Sequence, residues 1–480
     1  MQASKLIQLL SSLGTRERTR FKQYILSPFF NKHEKISELC QYILGFAPEF
    51  DQEALNRGVV HSNLFPEEDY NEDKLNNLIS DLLQLLYDYL AYLVYEQQPL
   101  QKQLQLLEAL LERDQSKHFS RAERRMEQLM KKLDNQSYAH FQYNMAFAEL
   151  KDRFAISKKR RAFNPHLQEA NNALDSYYWV NKFRMACDML SRNVVIKASY
   201  EAHFLDTLLA LYQEQAALQQ IPALKVYHEG VQLLSQSIQE RDYQKYTSVL
   251  AEHGEAIPHE ELQTLYNYAL NHCIQMINSG DNSYYDQIFS LYQTMIEKEI
   301  IFSKGVLSEW AYKNIVTTGI RLKAFDWTEG FIHQYQERLE ASSQTNALAY
   351  NLAAFYYAKA DYKKALIQLQ DVEFTDSSYH LGAKIIQLKS YYELEETEAF
   401  YALIEAFQKY LRRSNQISDY RKRANKNLLQ LSKKAYKLRA EYDLIRPNQL
   451  QKRKIALLRK LGETSPIANK SWLEEILDRL

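Results

Sequence analysis

The 480-residue chain holds 11 glycines and 9 prolines, about 2 per cent of each where roughly 7 and 5 per cent are usual. Those two residues supply the positive-φ and pre-bent positions of tight strand turns, so this backbone has few places to reverse within a sheet. Long helical runs are the natural outcome, and the expected fold class is all-α. The length exceeds a single ordinary hydrophobic core, which calls for several domains or an open-ended array.

One stretch, residues 346–376, reads as a repeat unit: NALAYNLAAFYYAKADYKKALIQLQDVEFTD. Leu352, Phe355 and Tyr356 fall on one side of a first helix, and Ala365, Leu366, Leu369 and Val372 on one side of a second, because positions three and four apart share a face. A tight turn is expected at Ala360-Asp361. Small Ala353 and Ala365 let the two backbones approach while tyrosines fill the remaining space.

The sequence Leu352-Ala353, Tyr356, Ala360-Asp361-Tyr362 and Ala365 resembles the tetratricopeptide repeat, whose period is about 34 residues. Ala349, Ala360 and Ser377 stand where that family favours Trp, Gly and Pro. One period back lies Asp326-Trp327 and one forward Glu396-Thr397, so three successive hairpins are expected over residues 306–410. The resemblance implies an α-solenoid of antiparallel helix hairpins with a concave groove lined by first helices. It makes Asn314, Thr318, Asn351, Ala354 and Tyr357 the candidate partner-binding residues of that groove. Family members that clamp acidic chain ends use Lys and Asn on successive first helices. Ile315, Gly319, Gly382 and Ile386 stand at four of the corresponding positions, so that ligand class is not supported.

Four domains are expected: an N-terminal helical domain (1–98), an array of helical hairpins (99–250), the tetratricopeptide-like repeats (251–411) and basic C-terminal helices with a capping helix (412–480). In the first, short helices over 5–13, 16–26, 33–46 and 51–63 precede a long one over 71–96. Ser27-Pro28 stops the second, and Phe29-Phe30 after it are expected to plug a helical corner. The layout is similar to the winged-helix end of regulators that carry tetratricopeptide repeats behind it. A helix that reads DNA needs Lys or Arg toward phosphates and base edges, whereas this one offers Lys74 against Glu72, Asp73, Asp81, Asp88 and Glu96, so a capping domain is expected. The array continues with helices that include 200–219, and Lys158–Arg161 is a basic run expected at a solvated corner.

Residues 412–460 carry 16 Lys and Arg against Asp419, Glu441 and Asp443, a local charge of +13 in a chain of formal charge zero, so the remainder carries −13. Ile417, Tyr420, Ala424, Leu428, Leu431, Ala435, Leu438, Tyr442 and Ile445 are spaced by three or four, the seam of a long packed helix. Its basic face is expected to lie on the acidic remainder of the chain. The alternative is that Arg421, Arg423, Lys426, Lys433, Lys434 and Lys437 follow a nucleic-acid backbone, gaining affinity by counterion release. Ser471 and Glu474 suggest a capping box for a final helix over 472–480, with Trp472 sealing the stack.

The 35 tyrosines are expected to pack between neighbouring hairpins with their phenol oxygens at the solvent rim. Cys40, Cys187 and Cys273 are far apart and form no Cys-x-x-Cys pair, which fits a reducing compartment. The amino-terminal apolar run is too short and polar for a secretory signal. No stretch approaches the roughly 18–20 apolar residues of a membrane span, and a cytoplasmic location is expected.

Catalytic motifs are missing as well. No glycines stand close enough for a phosphate-cradling P-loop or a dinucleotide fingerprint. The nearest histidines, His253 and His259, do not share a helical face, and no carboxylate lies three residues before any histidine, which removes the helical di-iron pattern. There is no Gly-x-Ser-x-Gly elbow. The expected function is a non-enzymatic scaffold or adaptor that holds a protein or peptide partner, with no cofactor and no metal.

Overall fold

The computed structural model describes residues 4–50, 53–133, 137–158, 163–196, 198–235, 240–370, 377–442 and 444–480. These residues form twenty-three α-helices and two isolated β-bridges rather than a sheet, so the protein is all-α. No helix among them is long and apolar enough to cross a membrane. Packing divides the chain into two units, Met1–Asn181 and Lys182–Leu480.

The first unit contains α1 (Lys5–Ser12), α2 (Thr15–Leu26), α3 (Glu34–Leu44), α4 (Arg57–Leu64), α5 (Glu72–Glu96), α6 (Pro99–Glu112), α7 (Ser116–Met130), α8 (Tyr138–Lys158) and the start of α9 (Pro165–Val195). On α5, Leu75, Leu78, Leu82, Leu86, Tyr89 and Leu93 keep three-and-four spacing and are all buried, packing with Leu6, Leu10, Phe21, Ile25 and Leu39 of α1–α3. The fourth helix starts later than expected because Asn56 caps it, its side chain accepting from Gly58 N–H at 3.0 Å. After α2, Phe30 stacks on Tyr24 at 4.1 Å, but Phe29 is 86 % exposed. Both Phe30 and Asn31 donate back to Ser27 O, and in this tight turn Phe29 meets Phe30 edge-on at 4.9 Å while Phe30 alone packs on Tyr24 and Tyr92. Lys158 pairs with Asp114, while Lys159, Arg160 and Arg161 lie outside the described residues.

The second unit holds the rest of α9 and α10 (Leu205–Glu214), α11 (Pro222–Leu234), α12 (Glu240–His253), α13 (His259–Asn278), α14 (Tyr284–Glu297), α15 (Glu309–Arg321), α16 (Phe325–Tyr335), α17 (Gln344–Ala358), α18 (Tyr362–Ile367), α19 (Ser377–Glu393), α20 (Thr397–Arg413), α21 (Asp419–Ala440), α22 (Pro447–Glu463) and α23 (Lys470–Asp478). Consecutive helices pack as pairs from α11 to α20, and α11 also touches α13, α15 touches α17, and α17 touches α19. The helix at α10 is shorter than the expected 200–219. Phe204 has φ 64° and cannot be helical, and Gln219 Nε2 caps the far end by donating to Tyr212 O and Gln213 O at 2.9 and 3.0 Å.

Four of the helix pairs in this unit are closed by the same backbone reversal. Two residues past α13, α15, α17 and α19 stand Gly280, Lys323, Ala360 and Glu395, with φ of 109°, 57°, 58° and 57°. The next N–H then reaches five residues back: Asp281 to Met276 O, Ala324 to Gly319 O, Asp361 to Tyr356 O and Glu396 to Tyr391 O, at 2.9–3.1 Å. This closure satisfies helix-terminal carbonyls that otherwise lack partners. The turn expected at Ala360-Asp361 is therefore present, with Asp361 Oδ1 capping α18 by accepting from Lys364 N–H at 3.2 Å. The helix it opens ends at Ile367, because the Leu369 and Gln370 N–H groups tighten to i−3 carbonyls. Val372 lies outside the described residues.

Several tyrosine hydroxyls lie inside rather than at a solvent rim. Tyr246 of α12 donates to Leu265 O of α13, and Tyr312 of α15 to Ile332 O of α16, both at 2.8 Å and both buried. Tyr379 of α19 reaches Glu309 O of α15 at 3.1 Å. A phenol long enough to cross between helices finds a carbonyl there, and leaving it unpaired would cost about 1–3 kcal/mol. The three cysteines are buried and free.

At the C-terminal end the apolar seam of α21 is buried at Ala424, Leu428, Leu431, Ala435 and Leu438. Tyr420 and Tyr442 are exposed, 63 % and 48 %, because the helix runs only from Asp419 to Ala440 and these two residues stand at its ends. Trp472 is 4 % exposed and meets Tyr392 edge-on at 5.5 Å. The expected capping box at Ser471 does not form. Asn469, in the left-handed conformation, precedes α23 without a side-chain cap, since its Oδ1 accepts from Lys389 Nζ at 2.7 Å.

Charged side chains are buried in this unit too, among them Glu229 and Glu393. Glu229 on α11 is 8 % exposed and accepts from Lys245 Nζ and faces His228 Nδ1, each at 2.9 Å. Burial alone would push its carboxyl up, yet the bonds from His228 and Lys245 together hold it below the usual carboxylate range.

Two expectations follow. A residue with a Cβ loses about 1–2 kcal/mol in the left-handed region, while glycine returns about 0.5–1 kcal/mol of that through its freer unfolded chain. Lys323→Gly and Ala360→Gly are therefore expected to raise the unfolding free energy, each by about 0.5–1 kcal/mol and additively in the double variant, seen as a higher urea midpoint; a lower midpoint would refute the account of the turns. Because the Glu229 carboxylate has a depressed folded pKa, its stabilisation is present above the unfolded value and is lost as pH falls through the folded one. Glu229→Gln is expected to lower thermal stability at pH 7 and to flatten the loss of stability between about pH 5 and pH 3, read by melting curves across that range.

Candidate functional site

Beyond α14 the chain makes a reversal unlike the others. Ile300, Ile301 and Phe302 are buried and lead to a two-residue turn at Lys304-Gly305, with φ of 50° and 81°. Ser303 and Val306 exchange N–H···O bonds of 2.9 Å in both directions, the pairing of a tight β-hairpin. Arg338, just past α16, pins it in place. Its Nε donates to Gly305 O at 2.7 Å, its guanidinium pairs with Glu299 at 3.1 Å and lies 4.1 Å from the Phe302 ring centre, and its carbonyl accepts from Leu307 N–H at 2.8 Å.

This pinned turn forms one wall of a groove of about 510 Å³. Leu270 of α13, Met295 of α14 and Ile301 make an apolar floor, Gln263 and Asn267 of α13 and Asn314 of α15 supply carboxamides, and Lys304 and Glu340 stand among its lining residues with opposite charges. Burial pushes the Tyr292 phenol up to about 12, opposed by a hydrogen bond with the Asn314 side chain, so the phenol stays protonated and serves as a neutral polar group. Ser308 Oγ accepts from Ala311 N–H at 3.1 Å as the cap of α15. The groove lining contains no histidine or cysteine, and no cluster able to hold a metal occurs among the described residues. Neutral donor–acceptor groups above an apolar floor suit binding: a carboxamide can pair with both the N–H and the C=O of an extended peptide.

Of the residues singled out from the sequence, Asn314 is exposed and lines this groove. Thr318, one turn along α15, is buried and its hydroxyl donates to Asn314 O at 2.8 Å. Asn351 is 1 % exposed; its Nδ2 donates to Ala347 O at 2.7 Å and its Oδ1 has no hydrogen-bond partner. Ala354 and Tyr357 are half-buried in the packing of α17, Tyr357 against the Tyr362 ring and beneath the Lys389 ammonium. The structure thus gathers one of the five at the groove and holds the others in or near the helix packing. Gln263, Asn267, Lys304 and Arg338 were not singled out. The available signal was Lys304-Gly305 between Ile301-Phe302 and Val306-Leu307, a two-residue hairpin turn flanked by apolar residues.

Arg421, Arg423, Lys426, Lys433, Lys434 and Lys437 are all exposed on α21. Arg421 donates to Ser378 Oγ at 3.1 Å, Lys433 lies over the Tyr401 ring, and Lys437 stands 3.7 Å from Glu441. The ion pair that ties α21 to the acidic part of the chain is Arg439 with Glu395.

Arg338→Met is expected to free the hairpin while leaving the helices in place. Tryptic cleavage after Lys304 should accelerate several-fold, followed by mass spectrometry, with circular dichroism unchanged; an unaltered rate would show that Arg338 does not hold the wall. No protein family, characterised protein or solved structure matches the chain.

Proposed function

We propose that the chain is a non-enzymatic scaffold in which tetratricopeptide-like helix pairs stack as an α-solenoid and hold an extended segment of a protein partner. Support for the stacking comes from the repeated left-handed closures and from the contacts that link α15 to α17 and α17 to α19. The observation that carries the binding reading is the groove between α13 and α15, with its carboxamides, apolar floor and pinned turn. Gln263 and Asn267 are one helical turn apart, so a single strand laid along them would meet Asn314 from the next first helix.

A second reading is favoured by one observation: among the described residues, most of the exposed cations of α21 have no acidic partner from the rest of the chain. A nucleic-acid backbone would supply one. That reading requires retention on heparin that weakens steeply with salt and is lost when Lys433, Lys434 and Lys437 become Glu.

The peptide reading is tested by placing a photo-crosslinking residue at Asn314, at Asn267 and, as a control, at exposed Gln334 of α16 in the full chain expressed in its native cell. Discrete polypeptide adducts are expected from the first two positions and not from the third, and Asn267→Ala should reduce the yield at Asn314. Equal labelling at all three positions would discard the groove as the site.

A further inference from the structure

Helices α21 and α22 line a second, open groove, of about 390 Å³, whose chemistry is unlike the first. Lys434 and Lys437 project from α21, and Arg453 and Lys460 from α22; Leu438 and Leu457, both buried, form the floor. One acid is present, Glu441, and it is already engaged by Arg453 and, at 3.7 Å, by Lys437. Lys434 and Lys460 have no ion pair among the described residues, yet they face each other across the groove. The contact with Lys460 holds the Lys434 ammonium below the usual lysine range, with desolvation and charge repulsion acting in the same direction.

Two flexible lysines at a surface normally swing apart into water, because like charges repel and each side chain has many rotamers. Here they converge over apolar ground. Four cations against one acid leave a local excess of three positive charges, concentrated in one concavity instead of spread along a helix. We infer that the groove between α21 and α22 is a binding site for a small organic molecule that carries a multiply charged phosphate group. Lys434 and Lys460 would flank the phosphate oxygens and Arg453 would give the site its planar donor fork. Leu438 and Leu457 would meet the organic part, for which a cavity of about 390 Å³ leaves room beside a diphosphate.

The site shares Lys434 and Lys437 with the nucleic-acid reading and does not depend on it. A nucleic acid would use the whole exposed face of α21, including Arg423 and Lys426, whereas a small phosphate ester uses only the cations that line the concavity.

Calorimetric titration of the full chain with inorganic pyrophosphate and with adenosine diphosphate, at fixed ionic strength, separates these cases. Saturable one-to-one binding of both is expected, weakened roughly tenfold or more by Lys434→Gln and by Lys460→Gln, as for the loss of a hydrogen bond to a charged group. Lys426→Gln, on the same helix outside the groove, should change it less than twofold. Without ligand, Lys434→Gln should raise the melting temperature, since it removes a repulsive pair. The inference is overturned if neither probe saturates, if Lys426→Gln weakens binding as much as the groove variants, or if only a single-stranded oligonucleotide binds and pyrophosphate does not compete with it.

Discussion

The fold rests on how a chain short of glycine ends its helices. Each helix leaves terminal carbonyls without intrahelical partners, and a reversal that buries them unpaired would cost about 1–3 kcal/mol per group. The closure after α13, α15, α17 and α19 answers this by bending one residue into positive φ so that the next N–H can reach five residues back. At three of the four positions that residue is Lys323, Ala360 or Glu395, each accepting strain that glycine would avoid. The strain is smaller than the carbonyl cost it prevents, so the turn forms regardless. Reversals this short leave the paired helices no alternative but to run antiparallel and touch.

Gly280 and Gly305 serve turns, whereas Gly319 and Gly382 stand where helices meet. A Cβ on Gly319 would lie 2.2 Å from the Thr328 hydroxyl, within the α15–α16 pair, and one on Gly382 would lie 2.7 Å from the Tyr350 ring, between α19 and α17. Close approach then brings aromatic side chains within reach of neighbouring backbones, which is why Tyr312 and Tyr379 find carbonyls on other helices. It also sets Lys313 of α15 over the Trp310, Tyr350 and Tyr379 rings, 5.0–5.5 Å from each centre. That cation–π cluster joins α15, α17 and α19. The spacing of first helices, on which any groove along them depends, is therefore set by two glycines and a few aromatic contacts.

The all-helical character and the α17–α18 turn were legible because both follow from local rules: few breakers, three-and-four spacing, and an Asp that caps its own helix. The tyrosine hydroxyls were not, since whether a phenol meets water or a carbonyl depends on a helix distant in sequence. The groove was half legible. Asn314 lies on an exposed face that periodicity can find, but Thr318 and Asn351 are buried by neighbours that no local pattern announces. Arg338 lies more than thirty residues from the turn it pins, and its role exists only in the fold. The capping box at Ser471 failed for a related reason: Asn469 is held by Lys389 of α19, and a tertiary bond displaced the local one.

Charge placement at the C-terminal end follows from relative magnitudes. A basic segment in a neutral chain could be held by attraction to acidic neighbours, but an exposed ion pair contributes about 0–1 kcal/mol. Each buried leucine contributes about 1.5–3 kcal/mol. Leu428, Leu431 and Leu438 on the seam of α21 therefore outweigh all the ion pairs available to it. Packing dictates which face turns inward, and the cations take what is left. Arg439 reaches Glu395 only because it stands at the edge of the seam. Once docking is assured by apolar contacts, nothing in the fold requires Lys434 to stand beside Lys460, and their convergence is a property of the surface that folding alone does not explain.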